Sequence, residues 1–155
     1  MPAMEKTNQS QIRPKSFTYK TRTEWSEGRS GSLLGDGKPP IRFSSPPEFN
    51  GETGVWTPED LFVAAVETCH MMTFVSFAAR RHLQLISYQS HTNGVLEFVD
   101  GEYRFTRIVI FPTITVPKSM DEQEVKVVVQ DAHKHCLVVN SIASIVEVNP
   151  TIIQQ

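Results

Sequence analysis

The chain has few cysteines, no excess of either charge and no long hydrophobic run. Only Cys69 and Cys136 occur among 155 residues. Two thiols are too few for a disulfide scaffold, and no CxxC pair is present to begin a zinc ribbon. Fifteen basic residues stand against seventeen acidic ones, for a net charge of −2. A nucleic-acid partner would ask for a basic excess on one face, and none is visible. The longest uninterrupted apolar run near Cys69 is Leu61–Val66. A membrane-spanning helix asks for about 18 residues or more, so none is expected. Met1–Lys15 is polar, without an apolar signal region. The expectation is a soluble cytoplasmic protein. Internal repeats and low-complexity tracts are also lacking.

What remains is one domain's length at 39% hydrophobic, well above disordered composition. Residues 1–14 read as a flexible arm and residues 15–155 as a single domain. Lys15–Glu24 alternates, with Phe17, Tyr19, Thr21 and Thr23 on one face, which predicts a strand. Gly28–Gly31 is a turn, Ser32–Gly35 starts a return strand, and Ile41–Ser44 follows a second turn at Asp36–Pro40. Thr57-Pro58-Glu59-Asp60 is a helix start. Thr57 can accept from the Asp60 amide, and Pro58 stands where a missing N–H is harmless. No breaker follows until about Arg80, and two apolar stripes run along the segment, so a helix buried around its girth is expected in the middle of the fold. Leu83–Val99 and Glu102–Val116 read as strands joined by Asp100-Gly101, a strong hairpin signal, with a bulge or edge at Pro112. Ser119 and Glu122 form a capping box ahead of a helix of about fourteen residues. Leu137–Ala143 reads as a short helix, and Ile145–Ile153 as a strand broken at Pro150. The order is that of an α+β fold with antiparallel sheet and no βαβ repeat.

Cys69 falls about eleven residues into its helix, too far from the N-terminus for the dipole to act. Apolar burial alone raises a thiol pKa and leaves it inert. Reactivity at Cys69 therefore requires a cation delivered by another part of the chain, and Arg suits because it stays charged when desolvated. Cys136 follows a helix end beside His133 and His135. That cluster leaves metal binding open, although Cys69 and His70 as neighbours on a helix point apart.

Pro58-Glu59-Asp60-Leu61-Phe62-Val63-Ala64-Ala65-Val66-Glu67-Thr68-Cys69 resembles the central helix of the OsmC/Ohr family, the osmotically inducible and organic hydroperoxide resistance proteins. Cys136-Leu137-Val138-Val139-Asn140-Ser141 resembles its second cysteine motif, with Leu137 where that family usually has Pro. Gly28-Arg29-Ser30-Gly31 resembles the turn carrying its active-site arginine, with Arg22 and Arg42 nearby as alternatives. The resemblance covers roughly residues 16–150. It implies antiparallel sheets wrapped around a long buried helix in an intertwined homodimer, and a thiol peroxidase without metal or other cofactor. Cys69 would attack an organic hydroperoxide and become a sulfenic acid. Cys136 would resolve it as a disulfide, Arg29 would hold the thiolate and the peroxide, and Glu59 would fix the arginine. The reductant would be a dithiol such as a lipoyl-bearing protein.

The chemistry asks for these roles. A thiol of pKa ~8.5 is about 3% ionised at neutral pH. A guanidinium at about 4 Å contributes about 4 kcal/mol at an effective dielectric of ~20, or about three pKa units. The resulting gain in thiolate, about 30-fold, leaves much of a peroxidase rate to orientation of the O–O bond and stabilisation of the leaving alkoxide. Glu59 lies ten positions before Cys69, about 15 Å along the axis, so it cannot serve the thiol of its own helix. A symmetric partner is expected to supply it, with Ala64, Ala65, Thr68 and Thr73 allowing helices to approach. Phe62, Met71, Met72, Phe74 and Trp56 are available for an apolar substrate pocket. The rival readings are a small-molecule-binding or structural dimer with inert thiols, and a metal-binding domain.

Overall fold

The computed structural model describes residues 15–155; the arm expected over 1–14 lies outside the described residues. Three strands open the fold: β1 (Arg22–Glu27), β2 (Ser30–Leu34) and β3 (Ile41–Ser44), paired antiparallel in that order. The first strand begins later than its alternation predicts, because residues 15–21 have no strand partner. Gly28, at φ 51°, makes the tight turn into β2.

A loop with a short 3-10 turn, Pro47–Phe49, leads to helix α1 (Pro58–Arg80). Thr57 accepts from the Asp60 amide at 3.1 Å, and the Asp60 carboxylate accepts from the Thr57 amide at 3.0 Å. That reciprocal cap fixes where the helix starts. Strands β4 (Ser87–Val99) and β5 (Glu102–Val116) follow as a long hairpin. Asp100 and Gly101 both take positive φ, 55° and 87°, as a two-residue hairpin turn requires. Helix α2 (Glu122–His135) is capped by Asp121 through the Gln123 amide at 2.9 Å, two residues beyond the Ser119 expected. A 3-10 turn at Val139–Ser141 replaces the short helix expected there.

Strands β6 (Ile145–Val148) and β7 (Thr151–Gln154) run parallel to β5 in tandem along one edge, divided at Asn149-Pro150. The sheet is therefore mixed, and β5–α2–β6 is a parallel crossover that the reading of the sequence did not contain. Pro112 produces no bulge: it pairs with Ser90 in unbroken register, and the bulge lies at Val95/Leu96. On its other side β6 stops opposite Ile110 and β7 starts opposite Thr113, so the residue lacking an N–H falls at the break between two partners.

The core is one layer of contact between the two helices and β5. Phe74, Ala78, Ile114, Val116, Val125, Val128, Val129 and Ala132 fill it, and Val66, Ile108 and Ile110 form a second cluster under Val138 and Val139. The expectation that α1 is buried all round fails for the single chain. Its buried residues are Val66, His70, Phe74 and Ala78, a four-residue repeat along one side. Ala65, Thr68, Met72, Val75, Ser76 and Ala79 are exposed, at the alternating three- and four-residue spacing of a helix-packing seam. By length and by a mean hydropathy of 1.5 over its most apolar stretch, α1 also reaches the range of a spanning helix. Counting uninterrupted apolar residues missed this, because Glu67 and His70 break the run. Here the helix packs on α2 and β4.

Candidate active site

The crossing of α1 and α2 brings together the two cysteines. Cys69 is half-buried on α1, Cys136 is fully buried at the C-cap of α2, and both are unbridged. Burial pushes the Cys136 thiol up, and the nearby Cys69 thiol pushes it further. The backbone at Val139 and Val138 acts in the opposite sense. The segment after Cys136 is held by its own side chains. Asn140 donates to the Lys134 carbonyl at 3.1 Å, and the Ser141 hydroxyl to the Leu137 carbonyl at 2.7 Å. Leu137 points outward, 75% exposed, so the segment keeps its shape without a proline.

The remaining predicted site residues lie elsewhere. Arg29 sits exposed in the β1–β2 turn. Arg22 pairs with Glu24 at 3.4 Å, and Arg42 forks onto Glu52 at 2.6 and 2.8 Å. That fork is the main cause holding the Glu52 carboxyl below its ordinary range. Among the described residues, no hydrogen bond or ion pair joins any of these three arginines to a thiol. Glu59 lies at the start of α1 and lines a cleft of about 1210 Å³ between the loop before α1 and the β4–β5 hairpin. Its Oε2 is buried there without a hydrogen-bond partner. Asp60, Glu67, Trp56 and Tyr103 also line this cleft, and neither cysteine does. Of the residues considered for an apolar pocket, Phe74 is core, Phe62 stacks on Phe105 at 4.8 Å, and Met72, three residues after Cys69, is 58% exposed. Among the described residues, no three of His, Cys, Asp and Glu converge as metal ligands.

The sequence reading missed a pair of neighbouring imidazoles in the same crossing, one of them fully buried. His70 is fully buried, and its ring centroid lies 6.4 Å from that of His133. Burial, reinforced by His133, holds His70 down at about 4. A signal was present: His70 falls on the Val66, Phe74, Ala78 repeat, so it had to be a core histidine.

Comparison with known proteins follows the same lines. YmaD, an uncharacterised protein of Bacillus subtilis strain 168, is 22% identical over 107 residues. The match takes in 69% of this chain and 65% of that protein, so it spans just under two thirds of the relative. An OsmC-like protein of unknown function from Vibrio cholerae superposes with a TM-score of 0.81 at 23% identity, covering 88% of this chain and all of that one. An organic hydroperoxide resistance protein OsmC from Legionella pneumophila gives a TM-score of 0.69 at 23% identity, over 89% of this chain and 99% of that one. At these identities the structures speak for a shared fold. The OsmC-like protein family matches residues 51–151, which include α1, α2 and both cysteines. On that match and that fold, the chain belongs to the OsmC-like protein family.

Proposed function

We infer that the protein is a thiol-dependent peroxidase that reduces organic hydroperoxides to alcohols. The observation that carries this reading is that two helices far apart in the sequence bring the Cys69 and Cys136 thiols close enough to perturb one another. Two inert core thiols would need no such proximity. Cys69, the more accessible sulfur, attacks the terminal peroxide oxygen as a thiolate. The O–O bond breaks, the alkoxide leaves and takes a proton, and Cys69 becomes a sulfenic acid. Cys136 then forms a disulfide with it, releasing water. A small dithiol or a lipoyl-bearing protein restores both thiols by exchange. A reducing cytoplasm suits that cycle.

The active unit in this reading is a homodimer. The exposed seam of α1 borders Cys69, and the exposed sheet β1–β3 has its main packing within itself. A partner on that seam supplies the missing cation. Arg29 is the arginine free to reach across, and Glu59, with an unpaired buried oxygen, is the carboxylate that aims it. Arg29 then stabilises both the Cys69 thiolate and the developing alkoxide. Arg29→Gln is expected to lower the rate with cumene hydroperoxide about 100-fold while leaving the dimer intact, read by stopped flow with a dihydrolipoyl reductant. Full activity of that variant would remove Arg29 from the site, and absence of any turnover by the wild type would overturn the reading.

A further inference from the structure

A guanidinium that serves a thiolate has to be aimed as well as charged. Arg29 is a long, flexible side chain on the exposed turn between β1 and β2, and its head group makes no ion pair among the described residues. Displacing a reacting group by about 1 Å can cost about 100-fold in rate. The backbone of that turn must therefore be held. Its carbonyls are all engaged. The Trp25 indole donates to the Gly28 carbonyl at 3.0 Å, the Ser45 amide to the Arg29 carbonyl at 3.1 Å, and the Ser26 hydroxyl to the Ser30 carbonyl at 3.1 Å.

The side-chain tie comes from the loop before α1. Ser30, next to Arg29, is buried and stands opposite the equally buried Ser44 in the β2–β3 register. Both serines grip Glu52. The Ser30 hydroxyl donates to Glu52 Oε1, and the Ser44 hydroxyl accepts from the Glu52 amide at 3.0 Å. Arg42 Nη2, on β3, reaches both oxygens of the same carboxylate at 2.6 and 2.8 Å. The other ion-paired carboxylate of this sheet, Glu24, holds Arg22 at the far end of β1 and cannot brace the turn.

The loop is shaped to deliver Glu52. A Cβ at position 51 would lie 1.4 Å from the Ser45 carbonyl oxygen, so only Gly51 lets the chain double back there. The Gly51 amide closes on the Pro46 carbonyl at 3.0 Å. Four residues beyond Glu52, the Trp56 carbonyl accepts from the Ser44 amide at 2.9 Å, and Thr57 then caps α1. One connected body thus runs from the Arg29 turn through Glu52 to the start of α1, where Glu59 stands. The Arg42–Glu52 pair is about half exposed, at 50% and 44%. Exposed pairs add little to global stability, so what this one fixes is position.

We propose that Glu52 is a positioning residue for the reaction: it locks the Arg29 turn to the loop before α1, so that Arg29 and Glu59 of one copy reach the Cys69 thiol of the other as a single unit. The inference rests on the peroxidase reading above. Glu52 acts on the reaction only through Arg29. Without its carboxylate, the Ser30 hydroxyl and the Arg42 guanidinium lose their common acceptor and the turn loosens. Fewer Arg29 conformers then meet the thiolate and the departing alkoxide, and peroxide attack slows.

The test is a double-mutant cycle on the attack step, read by stopped flow as the second-order rate of Cys69 oxidation by cumene hydroperoxide. Glu52→Ala is expected to be about 10-fold slower than the wild type, with an unchanged urea midpoint. Glu52→Gln, which keeps one carbonyl acceptor, should recover part of the loss. Arg29→Gln/Glu52→Ala should be no slower than Arg29→Gln alone, because nothing remains to be aimed. Hydrogen exchange over residues 27–32 should rise in Glu52→Ala while that of α2 stays unchanged. Should Glu52→Ala fail to fold, Arg42→Gln carries the same cycle with the same non-additivity required. Glu52→Ala at the wild-type rate beside a slow Arg29→Gln overturns the inference and leaves the peroxidase reading standing. A double variant slower than Arg29→Gln by the full Glu52→Ala factor marks Glu52 as structural and also overturns it. A fully active Arg29→Gln removes the inference together with Arg29, and a wild type without turnover removes the peroxidase reading and this inference with it.

Discussion

The two ends of the chain are built on opposite terms. At the α1–α2 crossing, the single chain supplies everything the packing needs. Phe74, Val125, Val128 and Ala132 are fully buried, as are the Cys136 thiol and the His70 ring, with Cys69 and His133 partly covered beside them. In the sheet β1–β3, every residue of β1 is exposed, including Trp25 at 77%. What anchors that sheet to its own chain is a few polar bonds: the Arg42–Glu52 fork, the Ser30 hydroxyl on Glu52, and the Ser44 amide on the Trp56 carbonyl at 2.9 Å. The first region has a core of its own; the second is largely exposed, with Trp25 and Ile41 as its uncovered large apolar side chains. A single chain thus holds two neighbouring thiols in a packed crossing and, apart from them, a sheet with little packing on its own chain.

Substitutions can break or sharpen that contrast. The largest effect belongs to the crossing. Phe74→Ala is expected to lower stability by about 3–5 kcal/mol, read as the urea midpoint at constant slope. The loss should not depend on protein concentration if the core is the chain's own. A loss below 1 kcal/mol would show that the crossing is not the stable region described.

Acid should act next most strongly, and through the same crossing. His70 is held at about 4 when folded, whereas an unfolded chain takes the proton near the ordinary 6.5. The folded pKa is depressed, so this contribution is complete above the unfolded value. It drains away as the pH falls from about 6.5 to about 4. The total is about 3 kcal/mol. Urea titrations at neutral pH and in mild acid should show that loss in the wild type and little of it in His70→Gln.

The smallest effect is expected at Trp25. In one chain it is an exposed side chain, and Trp25→Ala should change the stability of a dilute monomer by less than about 0.5 kcal/mol. Its effect should appear instead as weaker self-association in sedimentation. A large, concentration-independent destabilisation would mean that β1 packs on its own chain after all.

Most of the element order was legible because it rests on local chemistry. The Thr57/Asp60 cap and the Asp100-Gly101 turn each act within a few residues of where they stand. The parallel pairing of β6 and β7 was not legible. A broken apolar run such as Ile145–Ile153 carries no mark of which strand it will join or in which direction. The half-exposed state of α1 was misread for a related reason. Apolar stripes on both sides of a helix report that both will be covered, not that one chain covers both. The cysteines could be found from the sequence, but their proximity could not, since it depends on how two helices cross. The imidazole pair was overlooked because His133 and His135 were weighed as metal ligands, while the four-residue repeat placing His70 in the core was left unused.

The central claim concerns the sulfur pair and is open to one direct measurement. Reduced wild-type protein is treated with one equivalent of an organic hydroperoxide, denatured in a thiol alkylator, and its free thiols counted by intact mass. The account predicts that both thiols disappear together into an intramolecular bridge, reversible by dihydrolipoate, and that Cys136→Ser halts at the Cys69 sulfenic acid. Two thiols that remain free and alkylatable after exposure would contradict it.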